Sequence, residues 1–222
     1  LQIRSNTNFK FDYRNKIVII VPISTIITMR GRSKIFDEKE VIQKARDIFW
    51  SKGFEASSTE ELLAAMGIGK GSFYHSFEGG KKQLFEKVLD QLSHEGIRQL
   101  KEKLSKSKKP IDVIRAFFRS IASDNKKNHL LGCFLGNTVA ELSNIDHGLT
   151  VKAITLLKRL EQVFFEVIKN AQESGELKSK EDPNVIANYL ITTWNGLSIT
   201  RRMYPEVKIL KPLIELQLKL IE

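Results

Sequence analysis

The chain is 222 residues long and 41% hydrophobic, enough for one large domain or two small ones with a sizeable core, which excludes a wholly disordered tail. The 36 Lys and Arg against 26 Asp and Glu give a formal net charge of +10 at pH 7, which points to a polyanionic partner, nucleic acid or an anionic surface. One cysteine, Cys133, excludes an internal disulfide and a Cys-cluster zinc site and suits a reducing, cytoplasmic compartment. With only 5 prolines and 13 glycines, long stretches rich in Leu, Ile, Lys and Glu predict an all-α protein.

Residues 1–28 show no helical period. Their apolar run from Ile17 to Met29 is short of the ~20 residues that span a bilayer, is interrupted by Pro22 and leads into no cleavage pattern. The segment reads as leader sequence or a disordered arm outside the fold, with Met29 as the natural start; a β-branched arm that pairs with something is the alternative. Arg30, Arg32 and Lys34 read either as a basic arm for the DNA backbone or minor groove or as a solubilising tail.

From Asp37 the pattern turns helical. Val41, Ile42, Ala45, Ile48 and Phe49 share one face of a 3.6-residue period, Asp37 with Glu40 resembles a capping box, and Gly53 closes the helix. Ser58-Thr-Glu-Glu61 is a second box opening a helix of about two turns, which Gly67 stops. Lys70-Gly-Ser-Phe-Tyr-His-Ser-Phe77 then forms another very short helix, so the two make a helix-turn-helix. After Glu78-Gly-Gly80, a long helix runs from Lys81 to about Leu104. Lys101 to Lys109 is basic and ends at Pro110, a boundary signal. Five more helices are expected, at about 111–128, 133–142, 146–174, 182–204 and 207–221, for about nine in total.

Residues 36–90 resemble the DNA-binding domain of the TetR/AcrR family of transcriptional regulators. The matching residues are Ala45-Arg-Asp-Ile-Phe49, Lys52-Gly-Phe54, Thr59-Glu-Glu-Leu-Leu-Ala-Ala-Met-Gly-Ile-Gly-Lys-Gly-Ser-Phe-Tyr-His-Ser-Phe77 and Lys82-Gln-Leu-Phe85, about a quarter of the chain. Two departures stand out: Gly69 replaces a frequent Ser cap, and the turn from Phe77 to Leu84 is one residue longer. The resemblance implies a three-helix DNA-binding domain over 29–85 and a helical effector-binding and dimerisation domain over 86–222.

The residues themselves agree. A recognition helix keeps one polar, small-residue face clear for the major groove and packs the other. Phe73 and Phe77 can pack, leaving Lys70, Gly71, Ser72, Tyr74, His75 and Ser76 outward, with Thr59 at the start of the preceding helix. Ser72 can bond a base edge or a phosphate. By resemblance, Tyr74 is the family's phosphate-contacting tyrosine and Lys81 approximates its phosphate-binding lysine. Tyr74 and His75 as plain surface cover, and Lys70 and Lys81 as solvated helix-end charges, are the bland readings. Charge favours nucleic acid: residues 29–109 carry a net +5 and residues 110–222 a net +2. No basic amphipathic helix with a Trp-bearing apolar face suggests a membrane partner.

In the second half, Phe117, Phe134, Phe164 and Trp194, with Asn137 and Glu141 as directional groups, are candidates for an effector pocket, against the reading of an aromatic stripe as core. Cys133 lies near a helix N-terminus, which favours a thiolate. Its surroundings resemble the family's sixth helix, where some members carry a sensing cysteine; inert packing is the other reading. Enzyme readings find no support. The four histidines lack metal-ligand spacing, and no nucleophile elbow, phosphate loop or dinucleotide fingerprint occurs, so neither cofactor nor metal is expected. The expected protein is a ligand-responsive, homodimeric repressor that binds double-stranded operator DNA, is released from it by a small molecule, and dimerises through its last two helices. A helical protein–protein interaction module without sequence-specific DNA binding is the alternative.

Overall fold

The computed structural model describes residues 36–222, so the expectations for residues 1–28 and for Arg30, Arg32 and Lys34 lie outside the described residues. These residues form ten α-helices and a closing 3-10 turn, with no strand among them.

Helix α1 (Glu38–Lys52) buries Val41, Ile42, Ala45 and Phe49, the face that the sequence period marks. The Asp37 carboxylate accepts from the Lys39 N–H, while Glu40 pairs with Lys44 at 2.8 Å rather than reaching back to close a capping box. Gly53, at φ +86°, ends the helix. In α2 (Thr59–Met66), Ser58 Oγ accepts from the Glu61 N–H at 3.1 Å, and Gly67 stops the helix in the left-handed region. Only a residue without a Cβ adopts that conformation cheaply. Helix α3 (Lys70–Ser76) follows after three residues, with Gly69 at its N-cap giving no side-chain bond.

Helix α4 (Gly80–Lys106) is about 40 Å long at 1.5 Å per residue. Helix α5 (Pro110–Ala122) starts with Pro in its first turn. The single helix expected over 111–128 is two: Ser123 ends α5, and Asn125 accepts from the Asn128 N–H at 2.9 Å to cap α6 (Lys126–Leu131). An Asx cap offers the backbone an alternative to continuing the helix, and here the alternative wins. Helix α7 (Phe134–Leu142), α8 (His147–Glu173), α9 (Pro183–Met203) and α10 (Val207–Leu218) follow near their expected bounds, with Asp146 and Asp182 capping α8 and α9.

Two apolar cores form. One joins α1 to α4 to α7 and the first half of α8, through Phe49, Phe85, Phe134, Leu142 and Leu149 among others. The second lies among α5, α8, α9 and α10 around Phe118, Phe164 and Ile214. Trp194 packs against both. The helix-turn-helix therefore shares its core with the helices that follow α4, and the polar contacts repeat this. Glu141 accepts from the Phe54 and Glu55 N–H groups at 3.0 and 2.9 Å, Trp50 Nε1 donates to Leu131 O at 3.0 Å, and Lys82 pairs with Asp146 at 2.7 Å.

Candidate nucleic-acid interface and effector cavity

Helix α3 has a buried side and an open one. Phe73 and Phe77 are fully buried, and Lys70, Gly71, Ser72, Tyr74 and His75 are exposed, with Ser76 and Thr59 half-buried beside them. Tyr74 packs edge-on against Phe73 at 5.0 Å between ring centroids, which leaves its ring 45% exposed but fixed. Gly71 sits inside the helix, where glycine costs about 1 kcal/mol relative to alanine. A Cβ there would meet nothing within 4 Å, so nothing in the fold needs the position bare. A bare helix position facing open solvent fits a close-approaching partner.

Lys81 is placed differently from the phosphate role implied by resemblance. Its ammonium donates to Phe54 O at 3.0 Å and Ser57 O at 3.2 Å and lies 4.3 Å from the centre of the Phe54 ring. It ties the start of α4 to the link between α1 and α2. Helix α4 begins at Gly80, at φ +60°, one residue earlier than expected.

Between α1, α4, α8 and α9 lies a cavity of about 640 Å³, within the range of small-molecule sites. Of the six residues expected there, Phe117, Phe134 and Trp194 line it. Phe164 is fully buried behind Phe117, at 6.1 Å between rings, and serves as core. Asn137 and Glu141 line a broader, more open groove on the outer side of α7 instead. Asn137 is held between Leu131 O and Arg202 at 2.9 Å each, and both Glu141 oxygens hold the end of α1. Going up α7 from Phe134 leads away from the cavity and toward the helix-turn-helix, which the spacing alone does not show.

Cys133 lines the cavity and is buried. Burial pushes its thiol up from the ordinary value, against the opposing pull of the Gly136 N–H and of the Trp194 Nε1–H, which donate to Sγ at 3.4 and 3.2 Å. The side chain caps α7 as a neutral thiol. Sequence reading missed the contribution of α4, through Leu92, Ser93, Gly96 and Ile97, and that of Arg201. Arg201 lies seven residues after Trp194, two turns along the same face of α9, so a charged residue at a core position was the available signal. Its guanidinium is pushed down by burial, opposed by the Asp124 charge.

A short helix presenting a polar face from a rigid apolar base, coupled through a shared core to a helical half with a cavity, defines a helix-turn-helix DNA-binding regulator. Comparison with known proteins gives the family. Residues 41–88 match the model of the bacterial regulatory proteins of the tetR family, and residues 110–214 match a tetracyclin repressor-like C-terminal domain. The chain belongs to the TetR/AcrR family of transcriptional regulators. It is similar to the HTH-type transcriptional repressor ComR of Escherichia coli, 29% identical over 78% of this chain and 83% of ComR. It is also similar to the HTH-type transcriptional repressor DhaR of Mycobacterium sp. strain GP1, 25% identical over 71% of this chain and 78% of DhaR. Among solved structures, a cysteine mutant of CifR complexed with 26bp double-strand operator DNA shares the fold with a TM-score of 0.73 at 22% identity, over 86% of this chain and 100% of that one. Reduced E. coli NemR does so with a TM-score of 0.74 at 19% identity, over 83% and 96%. No helix among the described residues is long and apolar enough to cross a membrane, and no group of three or more His, Cys, Asp or Glu among them could hold a metal.

Proposed function

We propose that the chain is a cytoplasmic, homodimeric repressor that reads operator DNA with α3 and is released from it when a small molecule fills the 640 Å³ cavity. The observation that carries the reading is the open face of α3, kept bare at Gly71 where the fold places no demand on it. Lys70, Ser72, Tyr74, His75 and Ser76 offer donors and acceptors to phosphates and base edges, with Thr59 at the start of α2 near the backbone. Lys81 acts by positioning these helices. Residues 29–85 are assigned to DNA binding and 86–222 to effector binding and dimerisation, a division supported by the bounds of the two matching family domains.

The dimer reading rests on α9 and α10. Of the apolar residues on these helices, Ile186, Leu190 and Leu197 are buried in the subunit's own core. An outward stripe is left: Val185, Ile199 and Met203 on α9, and Ile209 and Leu216 on α10, are all exposed. Exposed apolar rows on adjacent helices suit an isologous pairing across a two-fold axis. Two recognition helices so joined must stand about 34–36 Å apart to enter successive major grooves. A ligand that favours another spacing then lowers operator affinity by its differential affinity for the two states.

Selection of bound duplexes from a random library tests the assignment. The expected result is an inverted repeat, recovered by the wild type and lost by Tyr74→Phe in affinity but not in sequence. Ser72→Ala is expected to shift the preferred bases. Failure of the wild type to enrich any sequence would overturn the DNA-binding assignment, and enrichment of a single half-site would overturn the dimer.

A further inference from the structure

The cavity wall carries one feature that an apolar ligand does not explain. Arg201 lines the cavity with its side chain only 8% exposed, and none of its five N–H donors makes a hydrogen bond to a described residue. The nearest acid, Asp124, has Oδ2 3.6 Å from Nη1, beyond hydrogen-bond reach, and its Oδ1 already accepts from Asn128 Nδ2 and the Asn125 N–H. A buried guanidinium with unused donors is costly to keep. Ser93, on the facing stretch of α4, also lines the cavity with its hydroxyl buried and without a partner. The charges around the space leave an excess of one positive. Arg46 and Asp47 neutralise each other at 2.9 Å, and Arg201 with Lys127 face Asp124 alone. Most of the remaining wall is apolar or aromatic, with Ile97, Leu100, Phe117, Leu160 and Trp194 among its residues.

We propose that the effector of this cavity is an amphipathic monocarboxylate, whose acid group is received by the Arg201 guanidinium with Ser93 as a supplementary donor and whose apolar body lies among Ile97, Phe117 and Trp194. A guanidinium matches a carboxylate with two parallel N–H···O bonds, which a hydroxyl or an ester cannot accept in the same way. An apolar molecule without the acid would leave Arg201 with only its long ion pair to Asp124, whereas the carboxylate brings the missing hydrogen-bond acceptors. The inference rests on the reading of the cavity as the effector site, and its test separates the two.

Both tryptophans of the chain, Trp50 and Trp194, line the cavity, so intrinsic fluorescence reports its occupancy. The probes are octanoate, decanoate and 4-phenylbutyrate, each beside its own alcohol, titrated into the full-length protein. The expected result is that at least one acid binds tenfold or more tighter than its alcohol. Arg201→Met is expected to erase that difference while leaving the alcohol's affinity unchanged, and to melt close to the wild type, because the ion pair it loses, to Asp124 at 3.6 Å, is long and the carboxylate keeps its bonds from Asn128 Nδ2 and the Asn125 N–H. Equal binding of acids and alcohols, or binding of none of the acids, would overturn the proposal. So would a melting temperature several degrees lower in Arg201→Met, which would make the arginine structural. Arg201→Lys, which keeps the charge without the fork, is expected to restore only part of the preference; full restoration would refute recognition by the two parallel bonds. An acid that binds through Arg201 yet leaves DNA affinity unchanged would uphold the ligand class and refute release by that ligand.

Discussion

Replacing Lys81 with methionine keeps the aliphatic stem and removes only the ammonium, so its effect follows from the bonds that ammonium makes. Two carbonyls, Phe54 O and Ser57 O, lose a charged donor at 3.0 and 3.2 Å, and the Phe54 ring loses a cation at 4.3 Å. Hydrogen bonds from charged groups contribute about 1.5–3 kcal/mol each when buried, and the cation–π contact about 0.5–1 kcal/mol at partly exposed sites. Lys81 is half-buried, and water replaces part of what is lost, so we expect a total near 2 kcal/mol. In a domain of this size that lowers the melting temperature by about 4–8 °C. The same variant carries a second readout. If the ammonium is committed within the domain, the slope of log affinity against log salt for DNA stays as in the wild type; a lysine bound to phosphate would take about one unit from it. Differential scanning fluorimetry gives the first quantity and fluorescence anisotropy across a salt series the second. An unchanged melting temperature with a slope reduced by one would refute the reasoning and return Lys81 to the phosphate backbone.

Three further substitutions have outcomes set by the fold. Glu141→Gln replaces one accepting oxygen with an NH2 group facing the Phe54 or Glu55 amide, and is expected to lower the melting temperature by about 2–8 °C, equivalent to about 1–2 kcal/mol; unchanged melting would deny that α7 holds the end of α1 in solution. Leu216→Glu places a charge on an exposed apolar stripe and is expected to give monomers by light scattering, while its thermal stability as a monomer stays near that of the wild type. Asp146 is held below the usual carboxylate range by Lys82 and the Leu149 amide, so its contribution is complete above about pH 4 and fades as the pH falls further. Asp146→Asn keeps the cap but not the ion pair, so it should lower stability at neutral pH by only about 0.5 kcal/mol and differ less from the wild type near pH 3; a gap that widens in acid would contradict the assignment.

The local signals that the sequence carries are those that short-range physics enforces. Apolar spacing placed the buried face of α1, Ser58 and Asp182 placed the starts of α2 and α9, and Gly67 placed the end of α2, because periodicity and caps act within one turn of the residue that supplies them. The open and closed faces of α3 were legible for the same reason, since Phe73 and Phe77 are four residues apart on one side. The break at Ser123 to Asn125 was missed because an Asx cap inside a periodic stretch competes with continuation on nearly equal terms.

What crosses between helices was settled only by packing. Lys81 and Glu141 each read as candidates for a ligand or phosphate, and each is spent on backbone groups 24 to 87 residues away in the chain, which no spacing encodes. The last two helices were expected to pair two subunits, but only the fold shows which apolar residues they leave for it: Ile186, Leu190 and Leu197 turn inward, and Ile199, Met203 and Leu216 stay outside. Arg201 became visible as a cavity residue once α9 was set against α4, α5 and α6. The sequence by itself determined all of the helices but the break between α5 and α6, the helix-turn-helix and the likeness to a family, because these depend on neighbours in the chain. The tertiary structure alone decided which charged groups are free to meet a ligand, because whether a charge is spent or available depends on the partners that folding brings to it.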